Sequence, residues 1–429
     1  MSRATIASEE APSVRPTAAL HPADGDTTRA ARERLLMLLA LCFATFLVTG
    51  NGVAVSPFLL DMSRDLGTDL AAVANLVALS SITWGLASLL AGTASDRLGR
   101  KPILVGGLCI LILSPLGVAA SGTYFGVAAW RIIGGLGGGS FMGAVFASVA
   151  DRFPAAERGR ALGWLATGQS LSLVVGVPLI TSAGGILGWR GAFLVYGLAM
   201  IVAAALVWLL VPRKEEARQT LPLSYRAMVR LLNRPTIVLL ICGITERLCY
   251  SGVVVFFPTY LQTTYGVKLG ALAIGLAIVA SGNLIGNLLG GRLADRFRAR
   301  PLVFAVTSTT TALLALPTLL WHPGIWPSVA LGCGYTLVNA IGRLLLLTSL
   351  SEVSGEARGA VMGLNITGSS VGWLVATTIG GPLIITSGFG SLGLFTMIAG
   401  VSGAVLATGN WFWRNGERAN RRNGETAIR

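Results

Sequence analysis

Apolar runs of about 20 residues recur along nearly the whole chain, each long enough to cross a hydrocarbon layer about 30 Å thick as a helix. They fall at about 36–60, 70–93, 103–122, 125–150, 161–183 and 190–212. After a basic connector they resume at about 236–260, 269–293, 302–321, 325–350, 360–386 and 389–412. The pattern predicts an all-α integral membrane protein of twelve transmembrane helices. Residues 1–33 are rich in Ala, Pro, Thr and charge without periodicity, and read as a disordered tail. The first run follows Arg29, Arg32 and Arg34 but continues to about Leu60, too long for a signal peptide, and is read as the first span.

Composition agrees with the pattern. Hydrophobic residues make up 53% of the chain and charged residues 12%, against about 25% charged in a soluble domain. The 55 glycines suit helices that pack closely in lipid. The formal charge of +14 does not point to nucleic acid, because most Lys and Arg lie in short segments between apolar runs. Arg97, Arg100, Lys101, Arg152, Arg158, Arg160, the connector bases, Arg296, Arg298, Arg300 and Arg358 fall in one set of loops; Arg64, Arg190 and Lys268 fall in the other. The positive-inside rule places the first set and both termini in the cytoplasm of a cell-membrane protein. The connector around Arg226–Leu232 has the pattern of a short amphipathic helix or a solvated linker. All five cysteines sit inside apolar runs, and neither His21 nor His322 does so in a helix core. Metal-ligand spacing and a nucleophile–base set are missing, so neither an enzyme nor a metal or other cofactor is expected.

The chain is internally duplicated. Gly92-Thr93-Ala94-Ser95-Asp96-Arg97-Leu98-Gly99-Arg100-Lys101-Pro102, a polar turn between the second and third runs, returns as Gly291-Arg292-Leu293-Ala294-Asp295-Arg296-Phe297-Arg298-Ala299-Arg300-Pro301. Glu157–Gly163 matches Glu356–Gly363, and Thr167-Gly168-Gln169-Ser170 matches Thr367-Gly368-Ser369-Ser370. Six spans in the same order, both halves starting from the cytoplasm, make a parallel repeat. The expected division is a tail over 1–33, a six-helix bundle over 34–212, a connector over 213–234, a second bundle over 235–413 and a tail over 414–429.

Over residues 34–413 the chain resembles major facilitator superfamily transporters. The turn at Gly92–Lys101 is similar to that family's signature between spans 2 and 3, G-x-x-x-D-R-x-G-R-[KR], and Arg131 with Gly135 resembles its R-x-x-x-G motif. Gly168, Gly176 and Pro178 are similar to the glycine–proline motif of the drug–proton antiporter branch, though Val177 separates a pair that is usually adjacent. Gly381 and Pro382 in span 11 have the adjacent form. The resemblance implies that Asp96 meets the N-terminal end of span 11 near Arg358 when the cytoplasmic side closes, with Gly291, Asp295 and Arg296 as the second copy of this gate. Gly92 and Gly99 would allow close packing and turning there, while Arg97, Arg100 and Lys101 sit at the lipid headgroups. It further implies that span 5, through Gly176, packs on a helix of the other half and seals the outer side.

Ionisable residues within the spans are few: Arg131, Glu246, Arg247 and Arg343, with Asp61 near the outer end of span 1. Each costs about 2.5–3.5 kcal/mol at mid-membrane, so each needs a partner or a wet cavity. Glu246 lies near the midplane and is the candidate proton carrier; a static ion pair with Arg131 or Arg343 is its alternative role. Adjacent Arg247 points about 100° away around the helix and is expected to be a poorer partner. For Arg131 the resemblance implies a part in proton coupling or in holding an anionic group; a structural bond between helices is its alternative role. Asn51, Gln169, Asn283, Asn339 and Asn365, with Trp84 and Trp164, are candidates for the wall of a substrate cavity. The expected activity is proton-coupled efflux of small amphipathic molecules by a monomer rocking between two halves in the bilayer. Uptake by symport or uniport, or a non-transporting receptor, is the alternative.

Overall fold

Short polar breaks separate the helices. The computed structural model describes residues 24–212, 233–297, 299–353 and 358–427, and every element among them is helical. In chain order these are α1 (Asp24–Val53), a 3-10 turn (Ser56–Phe58), α2 (Leu59–Asp65), α3 (Leu70–Leu98), α4 (Arg100–Ala120), α5 (Tyr124–Arg152) and α6 (Ala155–Leu171). A π turn (Ser172–Gly176) leads into α7 (Val177–Leu210), followed by α8 (Arg234–Tyr265), α9 (Leu269–Arg296), α10 (Arg300–Leu320), α11 (Ile325–Val353) and α12 (Arg358–Ala427). Local chemistry sets the ends. Asp69 caps α3 through Ala72 N at 2.6 Å, Thr123 caps α5 through Gly126 N at 3.2 Å, and Asn233 caps α8 through Thr236 N at 3.0 Å. Gly266, in the left-handed region, ends α8.

Ten helices among the described residues are long and apolar enough to cross a membrane. Two of them, Glu157–Leu210 and Val361–Trp413, run to 54 and 53 residues, and a continuous helix of that length would extend about 80 Å. Each is broken by one glycine outside helical geometry, Gly188 at φ 70° and Gly388 at φ 75°. With ψ near 180° this region is open essentially to glycine alone. The two breaks lie 200 residues apart and turn ten helices into twelve crossings, six in each half.

Two boundaries differ from expectation. The first helix begins at Asp24, inside the expected tail, where the Arg29–Glu33 pair at 3.3 Å favours helix. At the other end α12 continues to Ala427, past the expected boundary at residue 413. The connector expected to be amphipathic, at 213–232, lies outside the described residues, as do residues 1–23.

Glycine stripes set the packing within each half. A Cβ at Gly135, Gly139 or Gly143 of α5 would strike backbone of α3, and one at Gly282 or Gly286 of α9 would strike backbone of α11. The four-residue spacing keeps each stripe on one helix face. The halves meet along two seams, α3 against α12 and α7 with its π turn against α9. Large apolar side chains such as Phe125, Ile186 and Leu209 point outward, as a lipid-facing surface requires. The duplicated polar turns lie on one face, here the motif face. Gly67, Gly188, Gly266, Gly324 and Gly388, all with positive φ, lie on the other, the glycine-turn face.

Candidate functional site

Span 1 does not cross as one helix. After Val53 it unwinds, and Ser56-Pro57-Phe58 forms the 3-10 turn before α2. The last carbonyls of α1 therefore lack intrahelical partners. Arg131 of α5, 1% exposed, donates to Asn51 O at 3.1 Å, Gly52 O at 3.4 Å and Ser80 Oγ at 2.9 Å. A cation at a helix C-terminus is favourably placed against the dipole. The spacing of the R-x-x-x-G motif follows from this geometry: Gly135, one turn on, has no Cβ to strike Ser80 O and Thr83 Oγ1, so α5 approaches α3 closely enough for Arg131 to reach Ser80. Arg131→Met should cost about 2–4 kcal/mol of stability, because it leaves buried acceptors unpaired. Thermal unfolding of the purified protein in detergent checks this, and Arg131→Lys should recover part of the loss.

The second set of buried charges sits in the other half. Glu246 and Arg247 on α8 are each 5% exposed. Arg247 Nε donates to Glu246 Oε2 at 2.7 Å, and Nη2 pairs with Oε1. The same Nη2 reaches Asn339 Oδ1 of α11 at 3.5 Å, and the guanidinium lies 4.5 Å from the Tyr250 ring centroid. This corrects the expectation that Arg247 is a poor partner. The two side chains carry enough rotatable bonds to span a 100° offset, and both need neutralising in the same dry interior. Arg131, in the other half, is not the partner. Arg343 lies one turn beyond Asn339 on α11, within electrostatic reach of Arg247, Glu246 and Tyr250, and makes no hydrogen bond or ion pair among the described residues. Behind Glu246 a pocket is lined by Cys249, Thr307, Ser308, Thr311 and Asn339.

A larger cavity of about 570 Å³, part of it open to solvent, lies between the halves. Val53, Ser56, Leu173 and Val177 line it from the first half, and Tyr250, Phe257, Leu276 and Thr336 are among those lining it from the second. None of the seven residues expected at such a wall lines it. Asn283 accepts from Asn287 Nδ2 at 3.1 Å, Asn339 faces Arg247, Trp84 covers Gly138 and Gly139, and Asn365 sits against Gly243. The Asn51 side chain is buried, while Gln169 is partly exposed and Trp164 exposed. Apolar and aromatic side chains of span 7 take their place. The signal available in sequence was the aromatic pair Tyr250 and Phe257.

At the motif face each half carries one arginine clamp. Arg100, in the first turn of α4, pairs with Asp96 at 2.6 Å and Asp151 at 3.0 Å, tying α4 to the ends of α3 and α5. Arg300, 200 residues later, pairs with Glu352 and donates to Ala294 O at 2.5 Å. Arg100 therefore does not sit at lipid headgroups, because two carboxylates flank it. Arg97 is exposed, and Lys101 Nζ lies 5.2 Å from the Trp208 ring centroid. The second copy is looser: Asp295 and Arg296 are exposed, and a Cβ at Gly291 would meet open space where one at Gly92 would lie 3.9 Å from Gly143 O. Gly99 takes φ 90°, which joins α3 and α4 without a loop; in the second copy the residue before α10 is Ala299. The side chain of Arg358, the expected partner of Asp96 in a closed state, lies outside the described residues.

At the glycine-turn face the halves touch. A Cβ at Gly381 would lie 2.6 Å from Ala71 Cα, and one at Gly185 would lie 3.3 Å from Gly270 N. Gln262 Nε2 donates to Pro57 O at 3.1 Å, and Ser56 Oγ to Val255 O at 2.6 Å. Gly168 and Gly176 do not join this seam. A Cβ at Gly168 would lie 3.0 Å from Cys42 O and one at Gly176 3.0 Å from Phe46 Cζ, both on α1 in their own half. The reason is angular: nine residues separate Gly176 from Gly185, which turns them about 180° apart on the helix. Pro178 occupies the first turn of α7, where a missing N–H is tolerated, and Pro382 interrupts α12 beside Gly381. Asp61 lies in the first turn of α2, remote from the buried charges; its neighbour Asp65 binds Arg190 at 2.7 Å and Trp189 Nε1 at 2.8 Å.

Comparison with known proteins agrees with this architecture. The family model described as Major Facilitator Superfamily matches residues 41–377. The uncharacterized MFS-type transporter YwfA of Bacillus subtilis is 27% identical, over 87% of this chain and 91% of its own. Multidrug resistance protein 2 of the same organism is 26% identical, over 81% and 88%. The crystal structure of a D-xylose–proton symporter superposes with a TM-score of 0.70 at 16% identity, covering 87% of this chain and 97% of that one. With a duplicated six-helix half, a polar turn repeated at the motif face and a family model across most of its length, the chain belongs to the Major Facilitator Superfamily, whose members are transporters and not enzymes.

Proposed function

We propose that this transporter moves small amphipathic molecules across the cell membrane by alternating access, coupled to protons, with the motif face and both termini in the cytoplasm. One observation carries the coupling: Glu246 is a carboxylate buried in a membrane-spanning helix, held by Arg247, whose guanidinium lies on Tyr250 at the wall of the cavity between the halves. A proton arriving on Glu246 dissolves the ion pair, and the freed guanidinium alters the cavity wall. The cavity's apolar lining suits an amphipathic body. Rocking would open the glycine-turn seam and close the motif face, where Asp96 and its clamp act as the gate. The protein works as a monomer in this scheme.

Export in exchange for protons is the first reading of direction, supported by the likeness to a multidrug resistance protein. One proton entering releases about 2.3 kcal/mol per 100 mV, enough for roughly a fifty-fold gradient. Uptake together with protons is the second reading, favoured by the excess of guanidinium over carboxylate around Glu246. Transport in proteoliposomes under an imposed pH gradient, with a panel of amphipathic acids, amines and neutral compounds, tests both. Substrate movement against the proton flow supports export and movement with it supports uptake. Flux that ignores the pH gradient would refute proton coupling.

A further inference from the structure

The cluster beside the cavity is unbalanced in charge. Arg247 and Arg343 share one carboxylate, Glu246, and Glu246 is taken up by Arg247 in a two-point contact. Arg343 is only partly buried and makes no hydrogen bond or ion pair among the described residues. Two guanidinium groups of like charge, one of them buried, are costly side by side unless an anion neutralises them.

Position adds a second argument. Thr336, Asn339 and Arg343 follow one another at three- and four-residue steps on α11, so they share a face. Thr336 lines the apolar cavity, Asn339 touches Arg247, and Arg343 lies one turn closer to the motif face. On α8 the antiparallel order repeats: Phe257 and Tyr250 line the cavity, and Arg247 lies nearer the motif face. A positive patch thus borders one end of an apolar chamber.

We infer that Arg343, with Arg247, binds the anionic head of an amphipathic organic acid whose apolar body fills the cavity lined by Val177, Tyr250, Phe257 and Leu276. This rests on the transport reading and names its substrate class. It also bears on direction. The charged and titratable groups facing Glu246 are Arg247, Cys249 and Tyr250 on α8 and Tyr335 and Arg343 on α11. Among the described residues, α10 presents Phe304 and the hydroxyls of Thr307, Ser308 and Thr311 to the same pocket, and α12 places Gly372 beside Arg247 and Trp373 beside Tyr250. A proton on Glu246 removes the one negative charge in this group and frees Arg247. The proton and the anion therefore strengthen each other's binding, which favours the second reading of direction, uptake together with protons.

The test is binding to the full-length protein in phosphatidylcholine nanodiscs, read by intrinsic tryptophan fluorescence and by thermal shift. Three matched probes differ only in the head group: 4-phenylbutyrate, 4-phenylbutyramide and 4-phenylbutylamine. The carboxylate should bind about tenfold or more tighter than the amide and the amine, as charge-assisted hydrogen bonds are stronger than neutral ones. Arg343→Gln should abolish the difference between carboxylate and amide, and Arg343→Lys should keep most of it. Glu246→Gln, which removes the carboxylate that competes for Arg247, should raise carboxylate affinity. Equal or tighter binding of the amine overturns the inference, and so does an unchanged carboxylate preference in Arg343→Gln. If Arg343→Gln does not fold, the three-probe comparison in the native protein and in Arg343→Lys still decides. A preference for phosphatidylglycerol over phosphatidylcholine, with none for soluble carboxylates, would assign the patch to a lipid headgroup and overturn the solute. Loss of the anion preference with proton-driven transport intact defeats this inference alone; an intact preference without proton-driven flux defeats the transport reading alone.

Discussion

Replacing Arg247 by methionine is expected to destabilise the protein by about 3–5 kcal/mol, the usual cost of leaving one charge of a buried pair uncompensated. Both partners are 5% exposed, and the guanidinium meets both oxygens of Glu246 as well as Asn339. Water cannot replace it at that depth. The double substitution Glu246→Gln with Arg247→Met should recover most of the loss, because removing both charges removes the desolvation penalty with the attraction. Thermal unfolding of the four proteins in one detergent completes the cycle. A double variant as unstable as Arg247→Met would show that packing on Tyr250, and not charge, is what Arg247 supplies.

Gly381→Leu should shift the protein away from the state seen here. A side chain at this position meets the backbone of Ala71, which no rotamer change relieves, so α3 and α12 must separate at the glycine-turn face. Overpacking of this kind costs about 1–3 kcal/mol, which moves a two-state equilibrium by roughly 5- to 150-fold. Transport should slow by a similar factor. A cysteine placed at Val53, in the cavity wall, should become labelled by a membrane-impermeant reagent added from the glycine-turn side, in a background where the five native cysteines are replaced. Gly176→Leu should not have this effect, since Gly176 faces Phe46 within its own half. Equal labelling of both variants would place the seal elsewhere.

The crossings were legible because hydrophobic runs of membrane length are a strong, one-dimensional signal. So was the duplication, carried by polar residues that lipid would expel. The turns that split α7 and α12 were visible only as gaps between runs; what singles out Gly188 and Gly388 is a backbone angle, and many of the 55 glycines look alike in sequence. Arg131 could be picked out as a charge in an apolar run, but its partners are the main-chain carbonyls of Asn51 and Gly52, groups every residue has. Glu246 and Arg247 were both legible as candidates. Their pairing was not, because helical angle describes where Cβ points and not where a long side chain ends. The lining of the cavity between the halves was not legible for a related reason: Asn283 and Asn339 are engaged with neighbours, and Phe257, Leu276 and Val177 are among the residues that wall it. The clamp at Arg100 depends on Asp151, 51 residues away, which no local motif contains.

Glu246 as the group that takes up and releases the transported proton is the centre of this account. The direct measurement is lumenal pH in proteoliposomes, followed with a trapped dye while a transported compound is added without any imposed gradient. The native protein should move protons in fixed proportion to substrate, and Glu246→Gln should still exchange labelled for unlabelled substrate while moving none. Proton movement of the native size in Glu246→Gln would contradict the account.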